Sequence, residues 1–240
     1  SSTSALTARI AGDVVVLCGD VPLIRAGTLK GLRASHQRSR ASVTVLAMIA
    51  DDPSGYGRIV RTGDGSIGIV EHADATAAER TIDEVNTGTY CFDSTFLFRA
   101  LGKLGRANKQ GEYYLTDLVG IAARSGAARC EVLEDADEGG GVNSRFDLAS
   151  AEAALQQRLI AKWMERGVTF TDPASAYVGA DVELGVDVSI GPSVVLLGRT
   201  RVGDGVRLDG VNRLSGTVVG RDAHVRWGVV ADGAHIATGA

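Results

Sequence analysis

The sequence predicts an α/β domain followed by a parallel β-helix. Short apolar strands alternate with helical patterns up to about residue 146. A long helical pattern without internal Gly or Pro follows, and beyond residue 170 apolar residues recur with a period of six. We therefore expect three parts: an α/β domain at 1–146, a linker helix at 147–170 and the first coils of a β-helix at 171–240.

The α/β domain begins with residues 13–18, a continuous apolar run typical of a strand buried on both faces of a parallel sheet. Thr28 is a candidate cap for a helix, and residues 43–49 form a second apolar strand, so the three elements make a β-α-β unit. Further along we expect a hairpin at 55–70, strands at 87–92 and 129–133, and helices at 94–104 and 116–126, the last capped by Thr116. Ligands of such domains bind at the carboxyl ends of the strands.

The β-helix is predicted from a hexad repeat. Each hexad contributes one short strand, and three hexads close one triangular coil with the apolar residue pointing inward. The apolar positions are Val178, Leu184, Ile190, Leu196, Val202 and Leu208 and, after slips in the period, Val219, Val225, Val230 and Ile236. Glycine follows directly at four of the first six positions, namely Gly179, Gly185, Gly191 and Gly203.

Composition and charge exclude several classes of protein. The 240 residues are 45% hydrophobic and 22% charged, as in globular proteins, and the formal net charge of -4 comes without a dense basic tract. A nucleic-acid or anionic-membrane partner is therefore not expected. Three widely spaced cysteines without CxxC predict free thiols, and no membrane span or signal peptide is evident, so we expect a cytoplasmic protein.

Two residues are candidate ligands of a metal ion. Asp20 directly follows the first predicted strand, at the sheet edge where Mg²⁺ and substrate phosphates would bind. An Asp that merely caps the turn at Pro22 is an equally good interpretation. Asn143 follows three glycines, where the backbone can approach a ligand and the amide oxygen can complete a coordination shell. A structural Asn in a Gly-rich turn is the alternative there.

Three further positions are candidates for binding a sugar. Gly57 belongs to a Gly-Tyr-Gly segment that leaves main-chain N–H groups accessible, and Glu71 and Asn86 lie at strand ends, where a carboxylate and an amide can bind hydroxyl groups. Solvated surface residues are the alternative interpretation. No Gly-x-Ser-x-Gly or HExxH sequence and no P-loop is present, which disfavours hydrolases and zinc enzymes; the catalytic residues stay unknown.

Taken in order, six segments resemble successive motifs of the bifunctional UDP-N-acetylglucosamine pyrophosphorylase/glucosamine-1-phosphate N-acetyltransferase family. The segments are Gly19-Asp20-Val21-Pro22-Leu23, Gly55-Tyr56-Gly57-Arg58-Ile59, residues 69–76 (IVEHADAT), Glu84-Val85-Asn86-Thr87-Gly88, residues 110–117 (QGEYYLTD) and Gly141-Val142-Asn143-Ser144-Arg145. The hexad repeat follows them, as it does in that family. The resemblance covers nearly the whole chain.

The resemblance implies a Rossmann-like nucleotidyltransferase domain, incomplete at its N-terminus, and a truncated left-handed parallel β-helix. It also implies that Asp20 and Asn143 hold Mg²⁺, and that Gly57, Glu71, Asn86 and Asn143 contact N-acetylglucosamine. Ser144 replaces the second Asn that is usual in the last motif, and Cys18 takes a place often held by Tyr or Ser.

The implied reaction joins UTP and N-acetylglucosamine 1-phosphate, with release of pyrophosphate, in the synthesis of peptidoglycan and lipopolysaccharide precursors. The family's full-length enzymes also transfer acetyl from acetyl-CoA to glucosamine 1-phosphate and form homotrimers through the β-helix. The family's nucleotide loop precedes the region matched here, and its acetyl-CoA site and catalytic His lie in later coils. Since the chain also starts without Met and ends within the repeat, we expect a central fragment impaired in both reactions.

Two other functions stay open on the sequence alone. One is a nucleotidyltransferase for a different sugar 1-phosphate, which would also combine such a domain with a β-helix tail. The other is a non-catalytic chain that only trimerises through its coils.

Overall fold

The computed structural model describes residues 11–63, 65–106 and 108–240, and the chain divides between Leu148 and Ala149 into two compact units. The first unit is built on a mixed six-stranded sheet. Its strands are β1 (Asp13–Val16), β2 (Val43–Ile49), β3 (Arg58–Arg61), β4 (Ile67–Val70), β5 (Glu84–Asp93) and β6 (Ala128–Val132). The helices of this unit are α1 (Ala26–Ser39), α2 (Ser94–Leu101) and α3 (Asp117–Ala123), and two short 3₁₀ turns lie at Glu79–Thr81 and Ala136–Glu138.

Strand β5 organises the sheet. It pairs antiparallel with β1, β2 and β3, while β2 pairs parallel with β6 and β3 forms an antiparallel hairpin with β4. The hairpin predicted at 55–70 is confirmed, and so are the strands predicted at 43–49, 87–92 and 129–133, with shifted ends.

The prediction for the first strand was partly wrong. Strand β1 is antiparallel to β5, its only strand partner among the described residues, and Val15 and Leu17 are 37% and 47% exposed. Strands β1 and β2 still run in the same direction, as a β-α-β unit requires, but β5 lies between them. An apolar run favours burial without specifying which strand becomes the neighbour.

Helices cover both faces of the sheet. Val43, Val45 and Ala47 of β2 point to one face and join a core with residues of α2 and α3, including Phe96 and Leu118. Alternation along the strand turns Leu46 to the opposite face, where it packs in a second cluster with Leu32 of α1 and Cys91. The sheet is therefore the middle layer of three.

Both predicted threonine caps differ from the structure in their hydrogen bonds. Helix α1 begins at Ala26 after Arg25, so Thr28 lies inside the first turn and its hydroxyl donates to buried Glu138 at 2.5 Å. Thr116 does precede α3, but its side chain makes no cap and donates instead to Glu71. Sequence alone does not show that a distant carboxylate competes for such a hydroxyl.

Helix α4 (Arg145–Glu165) begins in the last residues of the first unit and continues into the second. It is shorter than the linker predicted at 147–170, because Thr169–Phe170 already forms the first strand of the repeat. The buried side chains of α4 are those of Ile160 and Trp163, which belong to the second unit and pack in the core of the coils. Among the described helices, this one included, none is long and apolar enough to cross a bilayer.

The second unit is a parallel β-solenoid of four coils. Its twelve short strands form three parallel sheets, in the orders β7-β10-β13-β16, β8-β11-β14-β17 and β9-β12-β15-β18. The strands are β7 (Thr169–Phe170), β8 (Tyr177–Val178), β9 (Glu183–Leu184), β10 (Ser189–Ile190), β11 (Val195–Leu197), β12 (Arg201–Val202), β13 (Arg207–Leu208), β14 (Arg213–Ser215), β15 (Val218–Val219), β16 (His224–Val225), β17 (Val230–Asp232) and β18 (His235–Ile236).

The hexad repeat correctly gave most of the inward residues, with two exceptions. Val230 is 73% exposed, and its neighbour Ala231 takes the inward position opposite Leu214. Leu214 itself is fully buried in a place that the prediction skipped. The inward residues Leu214 and Val219, and likewise Ala231 and Ile236, are five residues apart, so the period of six slips after strands β14 and β17.

Candidate functional site

A cleft of about 620 Å³ lies at one edge of the sheet in the first unit. Five chain segments line it: the loop after β1, the loop before β3, the end of β4, the middle of β5 and the loop before α4. The cleft contains every residue that the sequence singled out: Asp20, Gly57, Glu71, Asn86 and Asn143. The fold thus brings together residues that are far apart in the sequence.

Asp20 and Asn143 are held near each other by their backbones. The N–H of Val142 donates to the carbonyl of Asp20 at 2.8 Å. Both side chains are exposed, and within the described part of the chain neither makes a side-chain hydrogen bond or an ion pair. The Asp20 carboxylate and the Asn143 amide are therefore both available to bind a ligand, and the backbone hydrogen bond keeps their segments together.

The start of helix α4 fixes Asn143. The carboxylate of Asp147 accepts hydrogen bonds from the N–H groups of Asn143 at 3.0 Å and Ser144 at 2.8 Å, while the Ser144 hydroxyl accepts from the N–H of Asp147. This reciprocal arrangement is a capping box. The bond from the Asn143 N–H, followed by those from Ser144, lowers the pKa of Asp147.

The donor set suits a hard divalent cation. Mg²⁺ binds oxygen ligands and usually takes one or two from protein, the remainder coming from water and substrate phosphates. No cluster of three or more His, Cys, Asp or Glu side chains that could form a closed metal cage occurs among the described residues. The free oxygens of Asp20 and Asn143 fit an open Mg²⁺ site of the kind that phosphate ligands complete.

Glu71 and Gly57 face each other across the β3-β4 hairpin. The Thr116 hydroxyl donates to one carboxylate oxygen of Glu71 at 2.8 Å. A Cβ atom added at Gly57 would lie 3.2 Å from the other oxygen and 3.0 Å from Ile69. Only a residue without a side chain leaves this approach unobstructed, and Gly57 is buried there.

A bulge in β5 places Asn86. Leu46 pairs with Thr89 but Ala47 pairs with Asn86, so Thr87 and Gly88 are extra residues on β5, and Gly88 has a φ of +75°. Bulges of this kind re-aim side chains next to functional sites.

The Asn86 amide is also held in place. Its Nδ2 donates to the Tyr90 hydroxyl at 2.7 Å, and its Oδ1 accepts from the N–H of Gly88 at 3.1 Å. Burial, more than the nearby Glu71 charge, raises the pKa of Tyr90, so this hydroxyl stays protonated.

Sequence reasoning missed several members of the site. The Tyr56 hydroxyl accepts a hydrogen bond from the N–H of Gly141 at 3.0 Å and so joins two of the lining segments. Cys18 also lines the cleft, and burial together with the Asp20 charge raises the pKa of its thiol. The aromatic residue between two glycines was a visible signal for Tyr56, whereas no sequence signal links Thr116 to Glu71.

The comparison with known families places the chain in a nucleotide-transferring class of enzyme. Residues 3–167 match the family model described as nucleotidyl transferase, and the chain belongs to that family.

More specific likeness is found among proteins named Bifunctional protein GlmU. Those of Exiguobacterium sp. (45% identity over 223 residues, 92% of this chain and 49% of the relative), Syntrophotalea carbinolica (44% over 230 residues, 95% and 49%) and Trichlorobacter lovleyi (46% over 230 residues, 95% and 50%) are examples. The resemblance inferred from the six motifs is thereby confirmed. The chain spans about half the length of the curated relatives that it matches.

Proposed function

We propose that this chain carries the sugar-binding and metal-binding part of a uridylyltransferase. The enzyme would join UTP and N-acetylglucosamine 1-phosphate to give UDP-N-acetylglucosamine and pyrophosphate. The observation that carries the proposal is the convergence of Asp20, Gly57, Glu71, Asn86 and Asn143 on one cleft. The similarity to GlmU proteins supports the choice of substrates.

In this proposal the sugar is recognised by Gly57, Glu71, Asn86 and Asn143. Thr116 and Tyr90 hold the Glu71 carboxylate and the Asn86 amide in fixed orientations, so little side-chain entropy is lost when the sugar binds. Asp20 and Asn143 would hold Mg²⁺, which when bound neutralises phosphate charge.

The reaction needs no nucleophilic side chain. A phosphate oxygen of the sugar 1-phosphate attacks the α-phosphorus of UTP, and the bond to the β-phosphate breaks to release pyrophosphate. Such transfers depend on positioning and on electrostatic stabilisation of the charge on phosphorus-bound oxygens. A cleft that fixes the sugar by several polar groups supplies the positioning.

The remaining properties belong to the proposal for the whole protein. They are acetyl transfer from acetyl-CoA to glucosamine 1-phosphate, assembly of a homotrimer through the solenoid, and a role in the cytoplasm in making peptidoglycan and lipopolysaccharide precursors. A parallel solenoid with apolar side chains on its outer surface is compatible with such an assembly.

The test is pyrophosphate release by the full-length protein with UTP, N-acetylglucosamine 1-phosphate and Mg²⁺. Asp20→Asn should lower kcat/KM about a hundredfold or more, because a carboxylate that anchors the metal is lost. Asp181→Asn, a matched change at an exposed residue of the solenoid, should leave it unchanged. Full activity of Asp20→Asn would remove Asp20 from the site.

The same assay separates the alternatives. Glucose 1-phosphate should be a much poorer substrate than N-acetylglucosamine 1-phosphate, since a site that hydrogen-bonds the acetamido group rejects a sugar lacking it. Equal or faster turnover of glucose 1-phosphate would favour a different sugar nucleotidyltransferase. Absence of turnover with every sugar phosphate would favour a non-catalytic assembly protein.

A further inference from the structure

We propose that Arg58 and His72 are positioning residues that hold Gly55, Tyr56 and Gly57 in the conformation that the sugar phosphate requires. These three residues are called the glycine loop below. The proposal rests on the proposed function, because that function assigns the glycine loop to the sugar side of the cleft.

Arg58 is unusual in its burial. It is 1% exposed and is the largest fully buried side chain of the described residues. In this part of the chain it forms no ion pair with a carboxylate, and its Nε has no hydrogen-bond partner. Burying a cation is costly unless other interactions offset the lost hydration. The groups that its two terminal nitrogens contact therefore indicate what Arg58 does.

Those contacts lead to the glycine loop. The Nη1 group of Arg58 donates to the carbonyl of Tyr56, and Nη2 lies 3.4 Å from Nδ1 of His72. The N–H of Gly55 donates to the same Nδ1 at 3.2 Å. Because Nδ1 accepts, the hydrogen of the neutral imidazole is on Nε2. Arg58 and His72 thus fix two successive residues of the loop.

The glycine loop in turn contacts the remainder of the cleft. The carbonyl of Gly57 accepts from the N–H of Asn86 at 2.8 Å, and the Tyr56 hydroxyl accepts from the N–H of Gly141 at 3.0 Å. Gly57 also approaches the Glu71 carboxylate closely. A shift of the loop would therefore displace several groups proposed to bind the sugar.

Loss of the Nδ1 acceptor should weaken binding of the sugar phosphate more than the chemistry. Neither Arg58 nor His72 lines the cleft, so neither touches the reacting atoms. We expect the KM for N-acetylglucosamine 1-phosphate to rise about fivefold, the size of effect that the loss of one ordinary hydrogen bond produces. The kcat and the KM for UTP should change less than about twofold.

The experiment compares His72→Asn with His72→Leu. The Asn side chain can place an oxygen acceptor close to the position of Nδ1, whereas Leu has similar bulk and no acceptor. Amide hydrogen exchange, measured by NMR on the 240-residue chain, reads the loop directly at Gly55 and Gly141, with buried Val45 as the control for intact folding. Steady-state kinetics of the full-length protein measure how the loop conformation affects the KM for the sugar phosphate. Arg58→Met is a second variant for the same measurements.

The proposal is supported if His72→Leu exchanges its Gly55 and Gly141 amides faster, keeps the exchange at Val45 unchanged and has a raised KM for the sugar phosphate. In His72→Asn the amide exchange and the KM should both return toward the wild-type values. Unchanged exchange at Gly55 in His72→Leu overturns the proposal. Faster exchange without a change in KM also overturns it, since the loop would then not serve the sugar. If the wild-type protein does not use the sugar phosphate, the proposed function fails, and the exchange data alone decide whether His72 holds the loop.

Discussion

Single side chains decide how closely the walls of the cleft approach each other. Gly57 lies where a methyl group would meet Ile69 at 3.0 Å and a Glu71 oxygen at 3.2 Å. Contacts this short force the neighbours to move by a few tenths of an ångström. In a site whose polar groups are already fixed by Thr116 and Tyr90, even that movement misaligns them.

Gly57→Ala should therefore raise the KM for N-acetylglucosamine 1-phosphate several-fold while leaving the melting temperature within about 2 °C of wild type. Gly63→Ala is the matched control, because that glycine belongs to the same hairpin and has open space around it. Kinetics and thermal unfolding of the full-length variants provide the two measurements. An unchanged KM in Gly57→Ala would contradict the proposed closeness of this wall to the sugar.

The sequence pointed to several residues that line the cleft, but it did not show the hydrogen bonds that hold them. Asp20 and Asn143 stand beside a strand end and a Gly-rich loop, signals that sequence displays directly. The hydrogen bond from Thr116 to Glu71 and that from Gly141 to Tyr56 join residues distant in sequence. A sequence gives the type of each donor or acceptor and leaves its partner open.

Most helices and strands could be predicted from the sequence, but features that depend on pairing with a neighbouring strand could not. Helices and most strands were found from periodicity and apolar runs, whereas the bulge at Thr87 and Gly88 has no counterpart in the hydrophobic pattern. The same limit applies to β1, whose partner β5 could not be inferred from composition. Pairing depends on contacts between distant segments, and local preferences do not encode it.

Helix α4 yields a prediction about pH. Bonds from the N–H of Asn143 and from Ser144 lower the pKa of Asp147 below its ordinary value of 3.8. A lowered folded-state pKa means that the stabilisation is complete above the unfolded value and is lost as the pH falls through the folded one. We expect the start of α4 to fray only below about pH 4, and Asn143 to loosen with it.

NMR titration of the Asp147 carboxyl and of the Ser144 amide measures this directly. Asp147→Asn should remove the titration from the Ser144 amide. A carboxyl that titrates at or above 3.8 would contradict the capping arrangement.

The solenoid yields a prediction about stability. A Cβ atom at Gly191 would overlap the Asp209 carbonyl oxygen of the next coil, so Gly191→Ala must push neighbouring coils apart. We expect a loss of about 2 kcal/mol or more, typical of overpacking. Gly31→Ala, in the exposed part of α1 with open space around it, should instead stabilise by about 0.5–1 kcal/mol. Chemical denaturation of both variants decides, and equal stability of Gly191→Ala and wild type would refute the close approach.

At the scale of the whole molecule, the solenoid surface predicts association. Large apolar side chains remain on its outside, with Trp227 61% and Val230 73% exposed and Val211 also exposed. Exposed apolar surface of this kind commonly marks a contact with another chain. In the sequence the composition changes abruptly near residue 170, where the repeat begins, whereas the two compact units divide earlier, between Leu148 and Ala149.

Light scattering of the protein in solution should give a mass three times that of the single chain, because the proposed assembly is a homotrimer. Trp227→Ser should shift the population toward smaller species, and Tyr113→Ser, at an equally exposed aromatic residue of the first unit, should not. A wild-type mass equal to one chain at micromolar concentration would contradict assembly through the solenoid.

The central claim is that Asp20 and Asn143 bind one divalent ion together. Mn²⁺, which binds oxygen ligands as Mg²⁺ does, broadens NMR signals of nearby nuclei and is therefore a direct probe. Added in the presence of UDP-N-acetylglucosamine, it should selectively broaden the amides of both Asp20–Val21 and Val142–Ser144, and Asp20→Asn should abolish both effects. Broadening confined to one of the two segments, or unchanged by Asp20→Asn, would contradict the account.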